Sequence, residues 1–210
     1  MKQISNLQTK DYIAEAIRNE ILSGNMKAGE ELTQEMLAEI LGVSRMPVRE
    51  ALQTLVQEGF VERLPNRHMQ VVALNEVQIR DTFLVIAAME VQVSEIILEK
   101  NLNIDRIEEV LKHLETEENE KKAADGEIEF HNAVISTLEN KYLEQMYGKL
   151  LNGYVTYAVK NLGEKEKAVS YLHSIGKDFE KKNGEGLRKN FYLYYHYYGE
   201  CFGQQVKDCE

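Results

Sequence analysis

Arg45, Arg49 and Gln53 recur at i, i+4 and i+8, so any helix that contains them carries all three on one face. Guanidinium groups near the start of an exposed helix suit duplex DNA, since arginine can bind guanine O6 and N7 bidentately or clamp a phosphate. Arg67 lies in Pro65-Asn66-Arg67-His68, where a loop between two strands would let it enter a minor groove or meet the backbone. A second grouping suits a metal. Glu127 and His131 are four apart, and His173 and His196 follow on later segments. One carboxylate and three imidazoles form a ligand set for a divalent transition metal such as zinc, nickel or manganese, with room for a water or a chelating effector. Ordinary surface or core histidines are the competing reading. A third grouping is Phe191-Tyr192-Leu193-Tyr194-Tyr195-His196-Tyr197-Tyr198, which on a helix places aromatic rings all round. Its phenols, Tyr192 and Tyr195 among them, would either wall an effector pocket around His196 or pack as core.

The elements that must position these residues follow from periodicity. Tyr12, Ile13, Ala16, Ile17, Ile21 and Leu22 have helical spacing over 8–23, and Ser23-Gly24-Asn25 ends that helix. Thr33 caps a short helix with apolar positions Met36, Leu37, Ile40 and Leu41. Gly42 closes it, and Ser44 caps a third helix over about 45–58 with Val48, Leu52, Leu55 and Val56 inward. Pro47 falls in the first turn, where its missing N–H costs little. After Gly59, residues 60–64 and 69–73 read as two strands of a hairpin. Helix, tight turn, arginine-bearing helix and hairpin is the order of a winged helix-turn-helix, whose second helix enters the major groove. From Val77 onward helical periodicity dominates, with helices expected over 77–100, 103–120, 123–139, 141–161, 165–182 and 185–206. The expected fold is mainly α: a winged helix-turn-helix over 1–75, then an antiparallel helical bundle over 76–210 for effector binding and dimerisation.

Composition limits the partners. The chain of 210 residues has a formal net charge of −10, which argues against an indiscriminate nucleic-acid binder. Residues 1–75 contribute 8 Lys and Arg against 10 Asp and Glu, so position rather than bulk charge must carry DNA recognition. Two cysteines, Cys201 and Cys209, and no apolar leader or span lead us to expect a soluble cytoplasmic protein without a membrane partner. No Ser-His-Asp order, phosphate-cradling glycine loop or Cys/His nucleophile signature is present, so a binding protein is expected rather than an enzyme.

The run Leu37-Ala38-Glu39-Ile40-Leu41-Gly42-Val43-Ser44-Arg45-Met46-Pro47-Val48-Arg49-Glu50-Ala51-Leu52, followed by Leu55 and Glu58-Gly59, closely resembles the GntR family of winged-helix regulators. Met46 stands where threonine is common, and His68 where the wing usually has glycine. The resemblance implies that Ser44, Arg45, Met46 and Arg49 contact DNA, that the protein is a homodimer on palindromic operator DNA, and that it acts as a repressor. Glu127-Ile128-Glu129-Phe130-His131 further resembles the Asp-x-x-Phe-His motif of the FadR branch (FCD-type C-terminal domain), with Asn140 in its continuation. That likeness implies a metal held by Glu127, His131, His173 and His196, and a small-molecule effector pocket that includes Asn140. Two departures stand out: His173 lacks its usual acidic neighbour, and Ile86 stands where an arginine is expected.

Overall fold

The computed structural model describes residues 6–66 and 68–209. They fall into two compact units, Met1–Asn75 and Glu76–Glu210.

The first unit holds α1 (Asn6–Leu22), β1 (Glu31–Leu32), α2 (Gln34–Leu41), α3 (Arg45–Glu58), β2 (Val61–Arg63) and β3 (Met69–Val71). Ile13, Ile17, Ile21 and Leu22 of α1 are buried, as are Val48, Ala51, Leu52 and Leu55 of α3, and the two helices pack on each other. Tyr12 and Ile40, which fit the apolar spacing, are exposed instead. The Thr33 hydroxyl accepts from the Met36 N–H at 3.2 Å and starts α2. Gly42 ends it at φ 64°, a left-handed position that any Cβ would strain, and Gly59 ends α3 in the same way at φ 83°. Ser44 occupies the N-cap position of α3, but its hydroxyl makes no capping bond, contrary to the sequence expectation.

The wing is a three-stranded antiparallel sheet in the order β1-β3-β2, with Glu31 opposite Gln70 and Val61 opposite Val71. β1 was not expected. Two residues carry no alternation, and they form a strand only because the edge of β3 is there to pair with. Between α1 and α3, Arg18 donates to both Glu58 oxygens at 2.7–2.9 Å in a largely buried fork. Arg18→Ala leaves the Glu58 carboxylate without its donors, and a loss of about 1–3 kcal/mol in urea unfolding is expected.

The second unit is all helix and loop among its described residues. It runs through α4 (Glu76–Glu99), α5 (Asp105–Thr116), α6 (Glu120–Ser136), α7 (Lys141–Leu150), a π-helical turn (Leu151–Val155), α8 (Thr156–Asn161), α9 (Lys165–Glu180) and α10 (Gly184–Cys209). α10 lies along α4 and α9, and α5 packs on α6 and α9. The helix expected over 141–161 is therefore interrupted. Gly153, at φ −96° and ψ −115°, leaves helical geometry inside the π turn and divides α7 from α8. No helix among the described residues is long and apolar enough to cross a membrane.

Candidate functional site

The N-terminal end of α3 presents Ser44, Arg45, Met46 and Arg49 to solvent, with Gln53 one turn further on the same side. Val48, Leu52 and Leu55 on the opposite face are fully buried, so the exposed residues stand on a helix fixed by its core. Arg49 has no acidic partner among the described residues. Arg45 does: its Nη2 donates to Glu35 in the first turn of α2. The Ser44 hydroxyl, unused as a cap, is available to a phosphate oxygen. This is the geometry of a reading head, with positive and hydrogen-bonding groups at a helix start and an apolar anchor behind them.

The wing is braced from the strand that precedes α2. Gln70 Nε2 donates to the Gly29 carbonyl at 2.7 Å, and His68 Nδ1 lies 2.9 Å from Glu31 Oε2. Asn66 Oδ1 accepts from the His68 N–H at 3.1 Å and shapes the loop. Arg67, the expected wing contact, lies outside the described residues.

In the second unit the polar chemistry is at the centre. Glu90, on the inner face of α4 one turn before the buried Ser94, and His131 of α6 are both completely buried. His131 Nδ1 lies 2.9 and 3.0 Å from the two Glu90 oxygens and 3.2 Å from the Tyr195 hydroxyl. This places the ring proton on Nδ1 and leaves Nε2 buried without a partner. Tyr147 of α7 also donates to Glu90, and its hydroxyl is 2.9 Å from that of Tyr195. Beside this group, Glu127 Oε1 accepts from Tyr194 at 2.6 Å and from Tyr198 at 2.7 Å. Burial pushes the Glu127 carboxyl above the usual range, against the pull of both phenols and of His131. Burial likewise pushes the phenols of Tyr147, Tyr194, Tyr195 and Tyr198 well above their ordinary value, so all four remain donors. Gly163 lets the Tyr198 ring in: a Cβ there would lie 2.5 Å from Tyr198 Cε1.

The four expected metal ligands do not converge. Glu127 and His131 share the buried centre, but His173 is partly exposed with Glu115 Oε1 3.4 Å away, in a groove between α5 and α9. His196 is largely exposed and faces Glu200 at 3.9 Å. No three His, Cys, Asp or Glu side chains are grouped to hold a metal among the described residues. The residues present therefore do not fit the metal, because Glu127 is already engaged by two phenols and two of the imidazoles point elsewhere. The expected effector residues separate as well. Tyr195 is inside the buried cluster, Tyr192 is half-buried outside it, and Asn140 caps α7 by accepting from the Tyr142 and Leu143 N–H groups.

Sequence reasoning gave no role to Glu90 or Tyr147, and it singled out Tyr194 and Tyr198 only as members of the aromatic run, not as partners of Glu127. The available signal was Glu90 itself, a lone carboxylate among Ile86, Ala87, Val91 and Ile97 on one stripe of α4.

His131→Ala removes one of the donors to the buried Glu90 and leaves a cavity beside it, with Tyr147 still donating, and a loss of about 2–4 kcal/mol in denaturant unfolding is expected. His173→Ala and His196→Ala should stay within about 0.5 kcal/mol of the parent. Titration of chelator-treated protein with zinc, nickel or manganese should show no stoichiometric uptake. Uptake abolished by either of the last two variants would mean that the four ligands do assemble. Glu127 adds a pH signature. A carboxyl with a raised folded-state value contributes stability that is full below its ordinary value of 4.5 and is lost as pH rises through the raised one. The stability of the parent relative to Glu127→Gln should accordingly fall with rising pH in that window, read from urea midpoints at each pH.

Residues 9–71 match the family described as "Bacterial regulatory proteins, gntR family". The gluconate operon transcriptional repressor of Bacillus subtilis is 27% identical over 154 residues, 71% of this chain and 63% of that protein, so the matched part spans less than two thirds of the repressor's length. The HTH-type transcriptional regulator YdhC of the same organism is 22% identical over 86% of this chain and 85% of its own. Among solved structures, a GntR transcriptional regulator from Rhodococcus sp. RHA1 superposes with a TM-score of 0.63 at 19% identity, over 95% of this chain and 97% of that one. Such a likeness carries the fold: a winged helix-turn-helix followed by a helical C-terminal domain. Over residues 9–71, about a third of its length, this chain is similar to the gntR family of bacterial regulatory proteins.

Proposed function

We propose that this protein is a transcription regulator, acting as a repressor, that binds operator DNA as a homodimer and releases or engages it in response to a small molecule held by the second unit. The observation that carries the proposal is the exposed set Ser44, Arg45, Met46 and Arg49 at the start of α3, backed by a fully buried apolar face. One short helix reads few base pairs, which favours two copies on a palindromic site with half-sites about one helical turn apart. The repressor named among the relatives supports the direction of control.

The second unit fits the helical domains of the FadR branch through its Glu127-Ile128-Glu129-Phe130-His131 motif and its all-helical architecture. Its effector would act without the four-ligand metal set, through the hydrogen-bonded cluster that joins α4, α6, α7 and α10. Tyr147 gives that cluster an outlet. It floors a groove of about 240 Å³ between α6 and α7, lined also by Arg106, Asn132 and Ser136. A ligand there changes operator affinity only to the extent that it binds one arrangement of the unit better than another.

Selection of binding sites from random duplex DNA tests the proposal directly. The purified protein should enrich a palindromic motif with affinity far above that for random duplex. Arg49→Ala should weaken binding to that motif by roughly tenfold or more while leaving the unfolding curve unchanged. Enrichment of no sequence, or unchanged affinity in the variant, would overturn the role assigned to α3.

A further inference from the structure

The sole acidic partner of the reading head among the described residues offers a role that neither DNA contact nor folding explains. Arg45 is the first residue of α3, and its guanidinium donates to Glu35 from the first turn of α2. Both side chains are well exposed, at 65% and 72%. An ion pair this open contributes little to the fold, because water screens the attraction and two long side chains lose freedom in making it. α2 does not depend on Glu35 for its start either, since Thr33 already caps it. The pair matters where water and salt are displaced, which is against DNA.

We propose that Glu35 is a specificity-determining residue, one that holds Arg45 away from phosphate and makes the protein discriminate against non-cognate DNA. The inference rests on the DNA-binding reading of α3. On random duplex, the attraction of Arg45 for a phosphate competes with an existing carboxylate partner, and that carboxylate is itself repelled by the backbone. Sequence-independent affinity is almost wholly electrostatic, so it bears the full cost of this competition. On a cognate site, Arg45 gains the directional hydrogen bonds of a base edge, which outcompete a single exposed carboxylate. Glu35 therefore weakens the non-specific complex more than the specific one. Among the described residues Arg49 is left as the cation of this face without an acidic partner.

Glu35→Gln keeps the side-chain length and removes the charge. Full-length parent and variant are titrated against random duplex and against the selected motif over a range of salt, with circular dichroism confirming the fold. The variant should bind random duplex roughly three- to tenfold more tightly. It should tighten on the motif by less, so that the ratio of specific to non-specific affinity falls. The salt dependence on random duplex should steepen by about one phosphate equivalent. In an Arg45→Ala background the same change should have little effect. Unchanged affinity for random duplex would overturn the inference, as would an effect that survives in that background. Weakened binding to the motif would also overturn it, by showing that Glu35 steadies Arg45 on its base instead. Failure of the parent and Glu35→Gln alike to select any motif would sink the DNA-binding reading itself and this inference with it. Selection by the variant alone would overturn the inference, because Glu35 would then oppose sequence discrimination instead of supplying it.

Discussion

Glu90 sits where a helical bundle can least tolerate a carboxylate, and the arrangement of the second unit follows from how that group is satisfied. Isolated burial of an ionisable group is prohibitive unless donors converge on it. Here His131 comes from α6, Tyr147 from α7, and Tyr195, which reaches both, from α10. Each donor must arrive from a different helix at hydrogen-bond distance, so the cluster fixes the spacing and rotation of four helices at once. Hydrophobic packing alone is far more permissive of sliding and repacking. The second carboxylate, Glu127, is met by Tyr194 and Tyr198, from the same face of α10 one turn apart. The aromatic-rich run from Phe191 to Tyr198 thus has a structural explanation: Tyr194 and Tyr198 supply the donors that Glu127 requires, and Tyr195 joins the group around Glu90.

The first unit is organised on the opposite principle. Its centre is apolar, Arg45 and Arg49 are outside, and a largely buried charge pair, Arg18 with Glu58, joins the first and third helices. The recognition residues are held by the helix on which they stand. That division allows the exposed side to vary, as Met46 shows, at little cost to the core. The charges that remain on this side act through their neighbours as much as through their own sign, because Arg45 is shared with a carboxylate and Arg49 is not.

Much of this was legible in the sequence. Periodicity located every helix of the first unit within a few residues, and Gly42 and Gly59 marked their ends. The spacing of Arg45, Arg49 and Gln53 identified the exposed side. Two kinds of information were not legible. β1 has no pattern of its own and exists only through a partner about forty positions later in the chain. The meeting of Glu127 and His131 with Glu90, Tyr147 and three residues of α10 likewise depends on how helices rotate against one another, which spacing within each helix does not specify. His173 and His196 failed as ligands for the same reason, since a histidine on a helix can face the centre or the solvent and the sequence leaves that open. Gly153 was the subtler miss. A glycine inside an amphipathic stretch reads as a tolerated weakness, whereas here it takes dihedrals that divide one helix into two.

The pairing of β1 with β3 has a bearing on how the first unit comes into being. The strand before the helix-turn-helix hydrogen-bonds to a strand beyond its last helix, so the sheet encloses α2 and α3 within a single loop of chain. During synthesis the three helices can coil as soon as they emerge, since the backbone hydrogen bonds within each helix are local. The wing cannot close until residue 71 is free of the ribosome. Docking of α3 on α1 can come before completion of the sheet in such a sequence of events, and the wing is the last part to be secured. In such an order the arginine-bearing face of α3 is set on its apolar core before the strands beside it pair, so the helix is positioned without help from the sheet.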